Sequence, residues 1–138
     1  MAYGFTTVNF NVSNLVTNAG VVGTDVTGVG SARQGAMAAT YGSDKGIFAY
    51  GYISGYVNMS NLVTNLGVVG TDVTGVGTAR GYLAACEYGG DKGIFGYGNA
   101  TGNVVVGMTN LISNVGVAST DVTGVGTIRL NLAACSYN

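Results

Sequence analysis

The chain predicts an all-β repeat protein built from four-stranded units. Three observations carry this: one stretch recurs three times, the composition favours short strands, and glycine-rich turns sit at matching places in each copy. The recurring stretch runs from Asn14 to Gly30, Asn61 to Gly77 and Asn110 to Gly126, at intervals of 47 and 49 residues. The first two copies differ only where Ala19 faces Leu66, and the third departs from the second at Ile112, Ser113, Val115, Ala118 and Ser119. Such self-similarity marks units that bury their apolar faces on their neighbours.

Hydrophobic residues make up 47% of the 138 residues and charged residues 8%, with 25 glycines and no proline, tryptophan or histidine. Valine, threonine, tyrosine and isoleucine fill the segments between glycines, the pattern of short strands joined by tight turns. A net charge of −1 offers no basic field for nucleic acid. No apolar run reaches the roughly 20 residues of a membrane span, and MAYGFTTVNF lacks the basic and apolar regions of a signal peptide. The expectation is a soluble chain without a membrane partner.

Within the unit 78–126, strand a is expected from Arg80 to Tyr88, b from Gly93 to Gly98, c from about Val104 to Val115 and d from about Val117 to Gly124. The unit 31–77 has the same order: a from Arg33 to Tyr41, b from Gly46 to Gly51, c from about Val57 to Leu66 and d from Val68 to about Gly75. The a–b links, Gly42 to Gly46 and Gly89 to Gly93, are rich in residues that tolerate positive φ and predict tight hairpins. Residues 1–30 supply strands b, c and d of a further unit, and 127–138 supply a strand a.

That split is the most informative feature of the sequence. A β-propeller is often locked by completing one blade from both ends of a chain, and closure removes free strand edges. Three blade-equivalents fall below the usual about 4 to 8. The expected architecture is therefore a propeller with one blade split between the termini and completed by strand exchange between chains, most simply a six-bladed homodimer. A stacked β-solenoid fibre is the architectural alternative.

Units of this length, with a hydrophobic strand ending in Phe48-Ala49-Tyr50-Gly51 or Phe95-Gly96-Tyr97-Gly98, an Asn-rich strand downstream and an arginine opening each inner strand (Arg33, Arg80, Arg129), resemble kelch-type propeller repeats. The kelch period is about 50 residues. The likeness covers nearly the whole chain, but Tyr-Gly replaces the double glycine, and the family's tryptophan and Tyr-Asp pair are missing. The closer likeness is to divergent glycine-rich kelch-like proteins of bacteriophages and environmental sequences. That resemblance implies a virion-associated component; near-identity between copies also suits a designed symmetric assembly.

All the charged residues except Glu87 occupy repeat positions: Asp25, Asp72 and Asp121; Arg33, Arg80 and Arg129; and Asp44-Lys45 with Asp91-Lys92 in the a–b turns. Acid–base catalysis needs groups whose surroundings differ, so identical copies point to structural ion pairs. Their aspartates around a channel are a weaker cation-binding alternative, because hard cations want six or more oxygens. Cys86 and Cys135 stand where the first unit has Ala39 and read as small core residues. Without histidine they form neither a zinc set nor an activated nucleophile. No catalytic residue, metal or cofactor is expected.

The b–c connections escape the repeat: residues 5–12, 52–58 and 99–107. Loop variation on one face is where repeat proteins place recognition. Phe5, Phe10, Tyr52, Ile53 and Tyr56 offer aromatic and apolar surface, and Asn58, Asn99 and Asn103 offer adaptable hydrogen bonding. Stacking aromatics beside amides suit a glycan or a protein edge. The sequence thus predicts a self-assembling structural or recognition module, with a multivalent carbohydrate-binding lectin, using the b–c loops or the grooves between blades, as the alternative.

Overall fold

A computed structural model describes residues 1–137, and their regular structure is entirely β. Strands β1 (Ala2–Phe5) and β2 (Asn9–Ser13) pair as a two-stranded sheet. Strands β3 (Met37–Tyr41), β4 (Lys45–Ala49) and β5 (Ser60–Val63) form a three-stranded antiparallel meander. Next come β6 (Arg80–Gly81), β7 (Ala84–Tyr88), β8 (Lys92–Gly96), β9 (Asn99–Ala100), β10 (Val104–Val105) and β11 (Thr109–Ile112). Of these, β7, β8 and β11 repeat the meander, and β6, β9 and β10 make a small separate sheet.

The a–b hairpins form as their glycines predict. Positive φ falls at Gly42 and Ser43 in one turn and at Gly89 and Gly90 in the other, the conformation that tight hairpins require. Matching registers follow, with Ala38 opposite Phe48 and Ala85 opposite Phe95.

The expected long strands are shorter. Strand a is broken because Gly35 and Tyr82 adopt positive φ. This separates Arg33 and Arg80 from β3 and β7, and sends Gln34 to pair with Tyr52 and Gly81 to pair with Asn99. Strand c begins at Ser60 and Thr109, later than expected.

Strand d is not a continuous strand. It touches c through bridges such as Ser60 to Val73 and Val63 to Val69. Between them the Gly70 carbonyl accepts from the Asn61 side chain and the Asp72 carboxylate reaches Ser31, so the ladder is interrupted.

Residues 127–137 form no strand, contrary to expectation; Asn138 lies outside the described residues. The physical reason is visible in the other units, where β3 and β7 each bond to the strand b of their own unit. Residues 127–137 have no such strand beside them. They lie along the previous unit instead, with the Asn131 N–H donating to Tyr82 O and the Glu87 N–H to Ser136 Oγ.

Successive units face one another through a core of Ala39, Tyr41, Ile47, Ala49, Tyr50, Leu83, Phe95 and Ile112. Small residues permit the close approach: a Cβ added at Gly93 would lie 3.0 Å from Ala39 Cβ. Aromatic pairs repeat across the joints, Tyr3 with Phe48 at 5.5 Å and Tyr50 with Phe95 at 5.6 Å.

Gly98 carries the tightest backbone requirement of the b-strand ends, with φ of 107° and only 2.6 Å between an added Cβ and Gly81 O. Gly98→Ala should lower stability by about 2 kcal/mol, read as a fall in denaturation midpoint. An unchanged midpoint would contradict this packing.

Candidate functional site

Two arrangements stand out: a buried arginine joint that repeats between units, and an aromatic cleft that does not repeat. The joint begins with an unusual backbone. Tyr3, Tyr50 and Tyr97 all hold positive φ, between 61° and 65°, which is costly for a bulky side chain.

Each of these rings underlies the guanidinium of the next unit. The carbon of Arg33 lies 4.0 Å from the Tyr3 centroid, that of Arg80 4.1 Å from Tyr50, and that of Arg129 4.2 Å from Tyr97. Such stacking gains more when the cation is desolvated.

Arg33 and Arg80 are wholly buried. Arg33 Nε donates to Tyr50 O at 2.8 Å, Nη1 to Ser31 O at 3.2 Å and Nη2 to Asn61 Oδ1 at 2.6 Å. Arg80 makes the same contacts to Tyr97 O, Thr78 O and Asn110 Oδ1. The asparagines pass the network outward, with Asn61 Nδ2 donating to Asp72 Oδ1 at 2.9 Å and Asn110 Nδ2 to Asp121 Oδ1 at 3.0 Å.

Each of these two aspartates also accepts from the backbone N–H and hydroxyl of Ser31 or Thr78. The direct charge separations are long, 3.8 Å for Arg33–Asp72 and 3.9 Å for Arg80–Asp121, so hydrogen bonding dominates over a tight ion pair.

Burial alone would raise the Asp72 and Asp121 carboxyls. Hydrogen bonds from Ser31 and Asn61, or from Thr78 and Asn110, with help from the arginine, outweigh it and hold both below the ordinary carboxylate value. Burial lowers the Arg33 guanidinium, opposed by Tyr3 and Asp72; arginine starts high enough to keep its charge.

The remaining members of the set are divided. Asn14 Nδ2 donates to Asp25 Oδ1 at 2.8 Å and to Gly23 O, reproducing the acceptor side, but no arginine of the described residues docks there. Arg129 stacks on Tyr97 and donates from Nη1 to Thr127 O at 2.9 Å, reproducing the donor side, yet it is exposed. Sequence position groups these six charges as equivalents; only the fold separates two complete joints from two halves.

The cleft gathers four of the eight loop residues singled out from sequence, Tyr52, Tyr56, Asn99 and Asn103, and adds Tyr82 and Asn131. Its volume is about 630 Å³. Tyr56 meets Tyr52 and Tyr82 edge to face, at centroid distances of 5.2 and 6.5 Å. Gly35 leaves room for the Tyr82 ring, since an added Cβ would stand 3.1 Å from it. Asn99 Nδ2 donates to the Tyr56 hydroxyl at 2.8 Å and to Asn103 Oδ1 at 2.9 Å. Burial pushes the Tyr56 phenol above its usual value, so it stays protonated at neutral pH.

Phe5, Phe10, Ile53 and Asn58 do not line this cleft. Phe5 and Phe10 are exposed, Ile53 O accepts from Asn9, and Asn58 donates to Gly77 O at 2.7 Å as Asn11 does to Gly30 O. Asn58 therefore belongs to the repeated framework. Tyr82 and Asn131 escape sequence reasoning because they fall in segments expected to be strand a, although their variation against Gly35 at the same repeat position is a signal in the sequence.

Cys86 and Cys135 are free thiols lining a common groove. Among the described residues no three metal-ligating side chains cluster, and no helix is long and apolar enough to cross a membrane. No known family model matches the chain, and no curated protein is significantly similar to it.

Two outcomes follow. Arg80→Leu removes the buried cation from its acceptors and should cost about 3 kcal/mol, measured by denaturant unfolding; a loss no larger than that of a surface substitution would contradict the joint. The second concerns acid. With folded carboxyl values below the unfolded value of about 3.9, the contribution of Asp72 and Asp121 is fully present above that pH and is lost as pH falls through the folded values. The melting temperature should decline below about pH 4, and Asp72→Asn with Asp121→Asn should flatten that decline; an unaltered acid limb would overturn the assignment.

Proposed function

We propose that this protein is a non-catalytic β-propeller module that assembles with a second copy of itself, six blades closing into one ring. The observation that carries this reading is the complementarity of the two half-joints. The donor half holds Arg129 and Thr127, the counterparts of Arg80 and Thr78. The acceptor half holds Asn14 and Asp25, the counterparts of Asn110 and Asp121, beside Tyr3. Docking one on the other would reproduce the hydrogen bonds seen twice within the chain.

Apolar contacts support the same pairing. Leu15 abuts Gly67 and Leu62 abuts Gly116 across consecutive units, whereas nothing among the described residues lies within 4 Å of a Cβ built at Gly20. Leu111, the next leucine in the series, is 36% exposed and would serve as the partner of Gly20 in another copy. Residues 127–137 would then find a strand b to pair with, and the split blade would be completed in trans. A ring of six lies within the usual range and leaves fewer free edges than an open stack.

Native mass measured by light scattering across a wide dilution range tests this. A dilution-resistant dimer is expected, and Arg129→Leu should convert it to a folded monomer while Arg80→Leu destabilises each chain. A compact monomer at all concentrations would overturn the assembly, and polymers growing with concentration would replace the ring by a fibre.

A further inference from the structure

We propose that the cleft between the b–c loops is a binding site for an uncharged saccharide. The site is built within one chain, so its ligand binding stands apart from the assembly described above. Its dimensions fall in the range of small-molecule sites, about 300 to 1,000 Å³, and none of its lining residues is charged. An anionic or cationic ligand would find no counter-charge there, which directs the choice to a neutral one.

The polar arrangement narrows it further. Asn99 is only 8% exposed, lines the cleft, and spends both amide hydrogens on Tyr56 and Asn103. Its Oδ1 is buried and accepts no hydrogen bond from the described residues. A buried acceptor of this kind is costly to leave unmatched, and a ligand that shifts the cleft lining slightly can bring a hydroxyl donor to it. Asn103 and Asn131 add amide groups at the same cleft. Tyr52, Tyr56 and Tyr82 supply aromatic rings at steep angles to one another, with interplanar angles of 73° and 86°. A pyranose combines hydroxyl donors with an apolar C–H face, and both halves of that chemistry have a counterpart here.

The copies of the repeat differ from one another at this cleft. Asn99 stands where the preceding unit has Tyr52, and the b–c connection of the third copy is longer and folds into the β9–β10 hairpin, turning through Gly102 and Asn103 at positive φ. Tyr82 stands where the other units carry Gly35 and Asn131. Among these departures, Tyr82, Asn99, Asn103 and Asn131 each add an aromatic ring or an amide to the lining. A closed dimer would present two copies of the cleft.

The test uses the full chain titrated with maltotriose, cellotriose, mannotriose and chitotriose, followed by NMR shifts and calorimetry, with sialyllactose as a charged control. At least one neutral trisaccharide is expected to bind saturably in the about millimolar range or tighter, with shifts confined to the cleft. Tyr82→Ala and Asn99→Ala should each weaken binding about tenfold, the energetic scale of one aromatic or hydrogen-bonded contact, whereas Tyr82→Phe keeps the ring and should retain binding. The melting temperature of each variant separates lost binding from lost folding. Silence across the four neutral sugars, or binding untouched in a folded Tyr82→Ala variant, would overturn the proposal. Stronger shifts with a neutral strand-forming peptide than with any sugar would do the same and assign the cleft to a protein partner.

Discussion

A guanidinium cannot be taken out of water unless nearly all its donors and its flat face are matched. No single unit of this chain holds all the matching groups for its arginine. The acceptors for Arg33 and Arg80 come from the unit that each arginine opens, and the stacking ring comes from the unit before. Burying the cation therefore requires two units in fixed relation, and the arginine acts as the register pin between them. Much else follows from it, including the left-handed tyrosine that aims a ring one way and a carbonyl the other.

The joint also separates framework from surface. Residues that serve it are copied almost unchanged: the arginine, the asparagine of strand c, the aspartate of the d region and the Tyr-Gly pair. The aspartates illustrate the logic, because their carboxylates sit at the surface end of the network and do less through charge attraction than through fixing the asparagine and the start of strand a. By contrast, the b–c connections lie beyond the joint and are free to diverge, which is how one cleft with its own chemistry arises on a repeated scaffold.

Several features were legible in the residues themselves. The repeated strands, the tight a–b hairpins and the equivalence of Arg33 and Arg80 all rest on local chemistry: glycine tolerance of positive φ, β-branched composition and strict spacing. The departures from expectation have local physical causes. Strand d and the upper part of strand a have strand-like composition, but side chains of Asn61 and Asp72 and the left-handed turn at Gly35 or Tyr82 draw their backbones away from the ladder. Residues 127–137 carry the composition of strand a without a strand b to make it one.

The sequence by itself determined the unit, its length, its β character and the symmetry of its charges, because those depend on residues near one another along the chain. Tertiary structure alone decided which arginines are buried, that Asn58 serves the framework while Asn99 lines a cleft, and that Tyr82 and Asn131 join it. Burial and side-chain partnership arise between units some 47 to 49 residues apart, and equivalent positions become physically unequal once one has a neighbour and another does not.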